Sequence, residues 1–125
     1  MLKSKSKGAI AELKVQIAAH EKNFTVSKPI SDYLPYDLII DNGKKLLRTQ
    51  IKYCNRRHGN NLELLLFDKQ NGLYTSDEID LLLVYCPAVD QILSFKQKDF
   101  HNKKQIQINI KNPKSKKYYS NYLWL

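Results

Sequence analysis

The sequence predicts an α+β domain built on a mixed β-sheet, with one helix ahead of the strands. Apolar residues recur at helical spacing within the first twenty residues, which indicates a helix with one apolar face. From residue 24 onward the apolar runs are of strand length and are separated by turn residues. Asn-Gly between two such runs, at positions 42 and 43, is the strongest short-range signal for a β-hairpin. The predicted order is therefore helix, strand, hairpin and further strands.

The N-terminal helix is expected to begin near Ser6, a residue type that can cap a helix, and to end near His20. Ile10, Leu13 and Ile17 follow helical spacing. We therefore predict that these three side chains form the stripe through which the helix packs on the sheet.

A two-residue type I′ turn at Asn-Gly would fix the register of the hairpin, because both of its central residues need positive φ. In that register Asp41 pairs with Lys44, and Asp37 pairs with Arg48. Side chains on a strand alternate between the two faces, so cross-strand partners lie on the same side of the sheet. The hairpin therefore predicts which of its polar residues share a face.

Four polar side chains are predicted on that shared face: Asp37, Arg48, Gln50 and Lys52. Asp37 and Gln50 would be diagonal neighbours about 7–8 Å apart at the backbone, close enough to reach a shared ion. A cross-strand ion pair between Asp37 and Lys52 on a solvated face is the alternative. An acid, an amide and an amine on one face thus indicate either a site or a surface ion pair.

The remaining strands are expected at Phe24–Ser27, Leu62–Phe67, Ile79–Tyr85, Gln91–Phe95 and Ile106–Ile110. The run Ile79–Tyr85 is continuously apolar, so we predict a central strand that is buried on both faces. Residues 54–61 are expected to form a polar loop, residues 68–76 turns, and residues 96–104 an irregular basic stretch. The aromatic tail Tyr118–Leu125 is predicted to pack on the domain or to form an oligomer contact.

Length and composition indicate a single domain spanning residues 1–125. No apolar run approaches the roughly 18–20 residues that span a bilayer, so no membrane partner is expected. The basic N-terminus has no signal-peptide apolar core, which predicts an intracellular, cytoplasmic protein. Cys54 and Cys86 form no metal-binding spacing, and a reduced pair is expected.

The charge balance favours a nucleic-acid partner. Lys and Arg number 21 against 12 Asp and Glu, giving a net charge of +9 and a pI near 9.5. Such a charge is typical of small nucleic-acid-binding domains, although acidic membranes and acidic proteins also attract basic chains. Residues 1–6 are predicted to form a basic arm, and residues 111–125 a basic and aromatic tail. Candidate phosphate contacts lie at Lys3, Lys5, Lys7, Arg48, Arg56 and Arg57.

The polar residues occur in an order that resembles a known family. Glu12 on the predicted helix is followed by Pro35-Tyr36-Asp37 and then by Gln50-x-Lys52 across the hairpin. This pattern resembles the PD-(D/E)xK nuclease superfamily. Lys7-Gly8-x-x-x-Glu12 looks most like its group I intron-associated homing endonuclease branch, which is similar to archaeal Holliday-junction resolvases. The resemblance covers about residues 7–95. Without it, the sequence favours a solvated helix residue near the positive helix end for Glu12.

The resemblance implies a restriction-endonuclease-like core and a Mg²⁺ cofactor, with Mn²⁺ as a possible substitute. It implies that Asp37 is a direct ligand, that Gln50 contributes its side-chain oxygen, and that Glu12 holds the metal directly or through water. The backbone carbonyl of Ile51 is a possible further ligand. Lys52 would orient or deprotonate the attacking water and oppose charge on the phosphate. Gln50 departs from the usual Asp or Glu, which removes one negative charge and leaves the number of metals open.

These features predict a Mg²⁺-dependent, site-specific DNA endonuclease of the intron-homing type that acts on double-stranded DNA. A Holliday-junction resolvase and a non-catalytic basic nucleic-acid-binding module are the alternatives. A double-strand break needs two active sites and one small domain holds one, so a homo-oligomer, dimer or tetramer, is expected.

Overall fold

The computed structural model describes residues 1–68 and 72–125. Its elements in chain order are α1 (Ser4–Glu21), β1 (Thr25–Ser27), β2 (Leu38–Asp41), β3 (Leu46–Tyr53), β4 (Arg57–His58), β5 (Asn61–Leu65), β6 (Phe67–Asp68), β7 (Gly72–Leu73), β8 (Leu81–Cys86), β9 (Gln91–Lys96), α2 (Gln97–Phe100), β10 (Gln105–Asn109) and a 3₁₀ helix (Tyr119–Tyr122). Within those residues no helix is both long enough and apolar enough to cross a membrane.

The main sheet has five strands in the order β1-β2-β3-β8-β9. Strands β3 and β8 are parallel, and the other neighbours are antiparallel. Helix α1 packs on one face of this sheet, where Ala11 and Val15 meet Leu38, Ile40 and Leu83. The predicted mixed sheet with an N-terminal helix packed on it is confirmed.

Strand β8 lies at the centre of the core. All six of its residues are buried, as the continuous apolar run predicts. Leu81, Leu83 and Tyr85 face α1, whereas Leu82 and Val84 face a second apolar cluster on the other side of the sheet. The strand is therefore the layer on which both halves of the core pack.

A second, three-stranded sheet in the order β10-β5-β4 covers that other side. Leu62 and Leu64 of β5 and Ile106 and Ile108 of β10 are buried in the cluster with Phe95. The predicted polar loop at 54–61 therefore contains a short strand, because the backbone of Arg57–His58 pairs with β5. The predicted turns at 68–76 include residues 69–71, which lie outside the described residues; on either side of them β6 and β7 pair as a two-stranded sheet.

The predicted core stripe of α1 is wrong. Leu13 and Ile17 are exposed, at 57% and 60% of their full accessibility, and Ile10 is only partly buried. The helix instead buries small residues at a spacing of four, Ala11, Val15 and Ala19. Small side chains let the helix axis lie closer to the sheet, and this packing distance decides the buried face rather than hydrophobicity alone.

Helix α1 also begins earlier than expected, at Ser4 instead of Ser6. The N–H of Lys7 donates to the carbonyl of Lys3 at 3.0 Å, which closes the first helical turn. Part of the predicted basic arm is therefore helical, and Lys5 lies within the first turn. Lysine has a good helix propensity, so the alternation of Lys with small residues does not prevent this.

The hairpin between β2 and β3 has a different register from the predicted one. Asp41 pairs with Leu46, so the loop has four residues, Asn42 to Lys45. Gly43 has a φ of 87°, whereas Asn42 does not have the positive φ that a type I′ turn requires. The Asn42 side chain accepts the N–H groups of Lys44 at 2.9 Å and Lys45 at 2.8 Å, which stabilises the longer loop. A shift of two residues preserves which side chains share a face.

The C-terminal tail docks on strand β9, as predicted. The N–H of Trp124 donates to the carbonyl of Ile92 at 3.0 Å, and Leu123 forms a bridge with Leu93. Trp124 also lies 6.3 Å from Phe24 between ring centroids.

Just after β9, the stretch predicted to be irregular contains α2, because the Asp99 side chain accepts the backbone N–H of Lys96 at 2.9 Å.

Candidate active site

Strands β2 and β3 separate where their pairing ends, and we call the gap between Asp37 and residues 50–52 of β3 the fork. The register of the two strands ends at Leu38 opposite Thr49, but β3 continues to Tyr53. From Thr49 onward β3 pairs in parallel with β8. Among the described residues, β8 is the strand neighbour that β3 keeps beyond the end of β2. The edge of β3 that faces β2 is therefore not paired with β2 where the predicted site residues lie.

Asp37 lies at this fork, directly before β2. Its N–H donates to the carbonyl of Thr49 at 2.9 Å, and its Oδ2 accepts the N–H of Ile51 at 2.9 Å. The carboxylate thus accepts a backbone N–H of β3 that has no partner in β2. These two hydrogen bonds to the backbone of β3 hold Asp37 in one position. The observed register places Asp37 directly opposite Gln50, whereas the predicted register placed it diagonal to Gln50.

The carbonyl of Ile51 points into the same fork. Along a strand the N–H and C=O of one residue point to the same edge, and successive residues alternate between edges. The N–H of Ile51 bonds to Asp37, so its carbonyl also points toward β2 and away from β8. The side chain of Ile51 is buried under α1, which fixes the backbone at this position.

Gln50 and Lys52 lie on the face of β3 that points away from α1. They pair laterally with Leu82 and Val84, which belong to the cluster on that side of the sheet. The Nζ of Lys52 is 5.4 Å from the ring centroid of Tyr74, within the range of a cation–π contact. The family resemblance extends to Tyr74, but sequence reasoning did not assign Tyr74 to the site, because its contact with β3 spans more than twenty residues.

Lys52 and the two acids line different pockets. A pocket of about 190 Å³ is lined by Lys52 together with Arg56 and Glu63. Glu12 and Asp37 line another one of about 230 Å³. The two acids and the amine therefore lie in separate pockets beside β3.

Glu12 reaches the fork from α1 and contacts a lysine that sequence reasoning missed. Its Oε1 lies 2.9 Å from the Nζ of Lys28, the residue after β1. Lys28 lines the same pocket as both acids. The hydrogen bond and the charge of Glu12, with a smaller contribution from Asp37, raise the pKa of Lys28. The ammonium thus lies in the field of both carboxylates.

The sequence carries one signal that could have identified Lys28. Strand β1 pairs with β2 so that Ser27 lies opposite Ile39. One further step along that ladder brings Lys28 beside Leu38, adjacent to Asp37. Pairing the predicted strand Phe24–Ser27 with the hairpin would have placed it there. Asp32 also lines the pocket, and nothing in the sequence pattern distinguishes it.

The donor set at the fork fits a hard divalent cation. The carboxylates of Glu12 and Asp37 line one pocket, and the Ile51 carbonyl points to the strand edge that Asp37 occupies. Gln50, next to Ile51 in β3, is predicted to add its amide oxygen. Across residues 1–68 and 72–125, no three His, Cys, Asp or Glu side chains form a group that could hold a metal by themselves. Mg²⁺ and Mn²⁺ prefer oxygen ligands and retain water, whereas a zinc site would need thiolate or imidazole ligands.

Arg48, a predicted DNA contact, is bound to Asp80. Its Nε donates to Oδ2 and its Nη2 to Oδ1, both at 3.0 Å, and its Nη1 donates to the carbonyl of Asp77. The hydrogen bond from Arg48 lowers the pKa of Asp80. This pair ties β3 to the start of β8, and a role of Arg48 in DNA binding stays a prediction.

The other predicted DNA contacts lie on the surface. Arg56 and His58 share the carboxylate of Glu63, at 3.3 Å and 2.7 Å, and the Nε of Arg57 donates to the carbonyl of Gly59 at 2.9 Å. Lys3 and Lys5 are exposed and Lys7 is partly exposed along the start of α1. Their contact with DNA also stays a prediction.

Comparison with known proteins gives a consistent result. A family model described as PD-(D/E)XK endonuclease matches residues 2–123. The solved structure of a bacterial homing endonuclease, I-Ssp6803I, is similar with a TM-score of 0.81 and 22% identity, over 98% of this chain and 89% of that one. Hjc, a Holliday junction resolvase from the archaeal hyperthermophile Archaeoglobus fulgidus, is similar with a TM-score of 0.56 and 15% identity, over 95% and 92%. These structural similarities show a shared fold. A search of curated proteins found no match.

Proposed function

The chain belongs to the PD-(D/E)XK endonuclease family, and on that premise we propose that it is a Mg²⁺-dependent, site-specific DNA endonuclease of the homing type. Nucleases of this family generally use divalent metal ions. The observation that carries the proposal is the position of Asp37, whose carboxylate is held by Ile51 at the fork and lines one pocket with Glu12.

In the proposed site, Asp37, Glu12, the Gln50 amide oxygen and the Ile51 carbonyl would hold Mg²⁺, and Mn²⁺ would be able to replace it. Bound there, the cation supplies Lewis-acid stabilisation of the phosphate and lowers the pKa of a water ligand. The N–H of Ile51 orients the Asp37 carboxylate, so this ligand needs little rearrangement before binding. Preorganisation of this kind lowers the cost of assembling the reactive geometry.

Lys52 acts on the water and the phosphate. Its ammonium orients the attacking water and opposes the negative charge that develops on the phosphate oxygens. The ring of Tyr74, 5.4 Å from Nζ, restrains this flexible side chain on the sheet face beside Gln50. Tyr74 is 3% exposed, so it is a fixed support. We assign Tyr74 a positioning role.

Double-stranded DNA is the proposed substrate. The chain carries a net charge of +9, and lysines line the start of α1 at positions 3, 5 and 7. Release of counterions from phosphates would supply most of the affinity that does not depend on sequence. Cutting both strands requires two copies, so we propose that a single-domain intracellular chain assembles as a dimer or tetramer.

A structure-specific junction resolvase is the second candidate. It is supported by the shared fold with the archaeal Hjc, whereas the similarity to the homing endonuclease has the higher TM-score and a similar coverage. Both candidates use the same chemistry and differ in the DNA that they accept. A panel of intron-insertion-site duplexes and four-way junctions distinguishes them.

Cleavage by the Asp37→Asn variant tests the catalytic assignment. The change keeps the shape of the side chain but removes the ligand charge, so we expect cleavage to fall more than about a hundredfold while DNA affinity in Ca²⁺ is kept. Asp77→Asn is the matched control, since it removes the same charge from an exposed position. The Lys52→Met variant should also lose cleavage and keep metal binding. A wild-type protein that cuts no substrate of the panel with Mg²⁺ or Mn²⁺ would leave only a basic DNA-binding module.

A further inference from the structure

We propose that Lys28 competes with the divalent cation for the acidic pocket, and that its ammonium must leave Glu12 before the metal binds. The inference rests on the proposed function, because it assigns Lys28 a role at the same site. It makes Lys28 a residue that sets the metal affinity of the protein without being a metal ligand.

The contact between Lys28 and Glu12 is direct. Nζ and Oε1 are 2.9 Å apart, within hydrogen-bond distance. The Glu12 side chain is 24% exposed, and its helix is anchored next to it by the buried Ala11 and Val15. The Lys28 side chain is 71% exposed. Glu12 is therefore the fixed partner of this pair, and Lys28 is the partner that can turn away into solvent.

Lys28 also lies near the second proposed ligand, Asp37. Its backbone follows β1, which pairs with β2, and Asp37 immediately precedes β2. Lys28 lines the pocket of about 230 Å³ that Glu12 and Asp37 share with Asp32. The ammonium therefore lies where a divalent cation would neutralise the same two carboxylates. A lysine suits this role because it is a compact point charge on a flexible stem.

Metal binding must break the ion pair between Lys28 and Glu12. The free energy of that ion pair is therefore subtracted from the free energy of metal binding, and the apparent affinity for metal falls. An exposed ion pair shifts an equilibrium by a factor of about 1.5 to 5. Removing the ammonium also removes a like charge from beside the incoming cation. We therefore expect Lys28→Met to bind Mg²⁺ and Mn²⁺ about two- to fivefold more tightly than wild type.

Isothermal titration of the full chain with MnCl₂ and with MgCl₂, without DNA, measures this affinity directly. Lys44→Met is the matched control, because this substitution removes the same charge. Lys44 lies in the exposed loop at the opposite end of the hairpin from the fork. The control should bind metal as wild type does. The rise in Tm on adding Mn²⁺ should also be larger for Lys28→Met than for Lys44→Met, since tighter binding to the folded state stabilises it more.

A double substitution shows whether Lys28 acts through Glu12. In a Glu12→Gln background the ion pair is already lost, so adding Lys28→Met should change metal affinity less than it does in wild type. Equal affinities of Lys28→Met and Lys44→Met, or weaker binding by Lys28→Met, would overturn the inference and leave the proposed function intact. Weaker binding would mean that Lys28 orients Glu12 for the metal. If neither wild type nor Lys28→Met binds metal, the proposed function fails, and this inference fails with it.

Discussion

The link between Arg48 and Asp80 should contribute measurably to stability. The Asp80 carboxylate accepts three hydrogen bonds from Arg48, from the backbone N–H at 2.8 Å and from Nε and Nη2 at 3.0 Å. Their side chains are 35% and 26% exposed, so solvent weakens each charged contact. We expect Asp80→Ala to lower the free energy of unfolding by about 2–3 kcal/mol, because it leaves a strand N–H and a guanidinium without their acceptor. For a chain of this size that corresponds to a Tm about 8–12 °C lower.

The effect should depend on pH in a direction that the pKa of Asp80 fixes. Arg48 lowers that pKa in the folded protein, so the carboxylate stays charged at pH values where the unfolded chain binds a proton. The stabilisation is present above the unfolded pKa of about 3.9 and is lost as pH falls through the lower folded pKa. Wild type and Asp80→Ala should therefore differ at pH 7 and become more similar toward pH 3.

Urea denaturation followed by the fluorescence of Trp124, the single tryptophan, measures these differences. Asp77→Ala is the control, because Asp77 is exposed and its hydrogen bond with Arg48 is made by the backbone carbonyl, which the substitution keeps. It should change stability by less than about 0.5 kcal/mol. A difference below that size between wild type and Asp80→Ala at pH 7 would refute the reasoning. So would a difference that is the same at pH 3.

The remaining predictions concern the helix and a tyrosine. Leu13→Gln should change the free energy of unfolding by less than about 0.5 kcal/mol because Leu13 is exposed, whereas Val15→Ala, at 0% exposure, should cost about 1–2.5 kcal/mol in the same assay. Tyr85 donates its O–H to Asp90 at 2.7 Å, and this hydrogen bond raises the pKa of Tyr85 to about 12. Asp90→Asn should lower that pKa toward 10, as measured by NMR of ring-labelled tyrosine; an unchanged titration would contradict this cause.

The hairpin shows how a wrong register can still give a correct face. Asn-Gly predicts a two-residue turn, but the side chains of Asp41 and Asn42 satisfy the N–H groups of a four-residue loop. The resulting shift is two residues, and strand side chains repeat every two residues. Gln50 and Lys52 therefore keep the predicted face. The contact between Asp37 and Ile51 was not predictable, because it depends on where β2 ends.

The helix shows what periodicity leaves undetermined. Leu13 and Ile17 are more hydrophobic than Ala11 and Ala19, so a pattern based on hydrophobicity selects the wrong face. The burial of alanines depends on how closely the helix approaches β3 and β8, which is a property of the tertiary packing. The position of Glu12 beside Lys28 has the same origin: the family resemblance singled out Glu12, but no local pattern places it near β1.

Gln50 and Lys28 both reduce the negative charge of the proposed site before metal binds. The pocket at the fork is lined by the acids Glu12, Asp32 and Asp37 and by Lys28, so the formal sum of its charges is −2. An acid at position 50, as is usual in the family pattern, would add one negative charge beside this pocket and attract a divalent cation more strongly. With glutamine there, the negative charge of the site is largest only when the Lys28 ammonium turns away. The neutral ligand and the competing lysine therefore act in the same direction, and both make metal binding weaker and more dependent on the position of one exposed side chain.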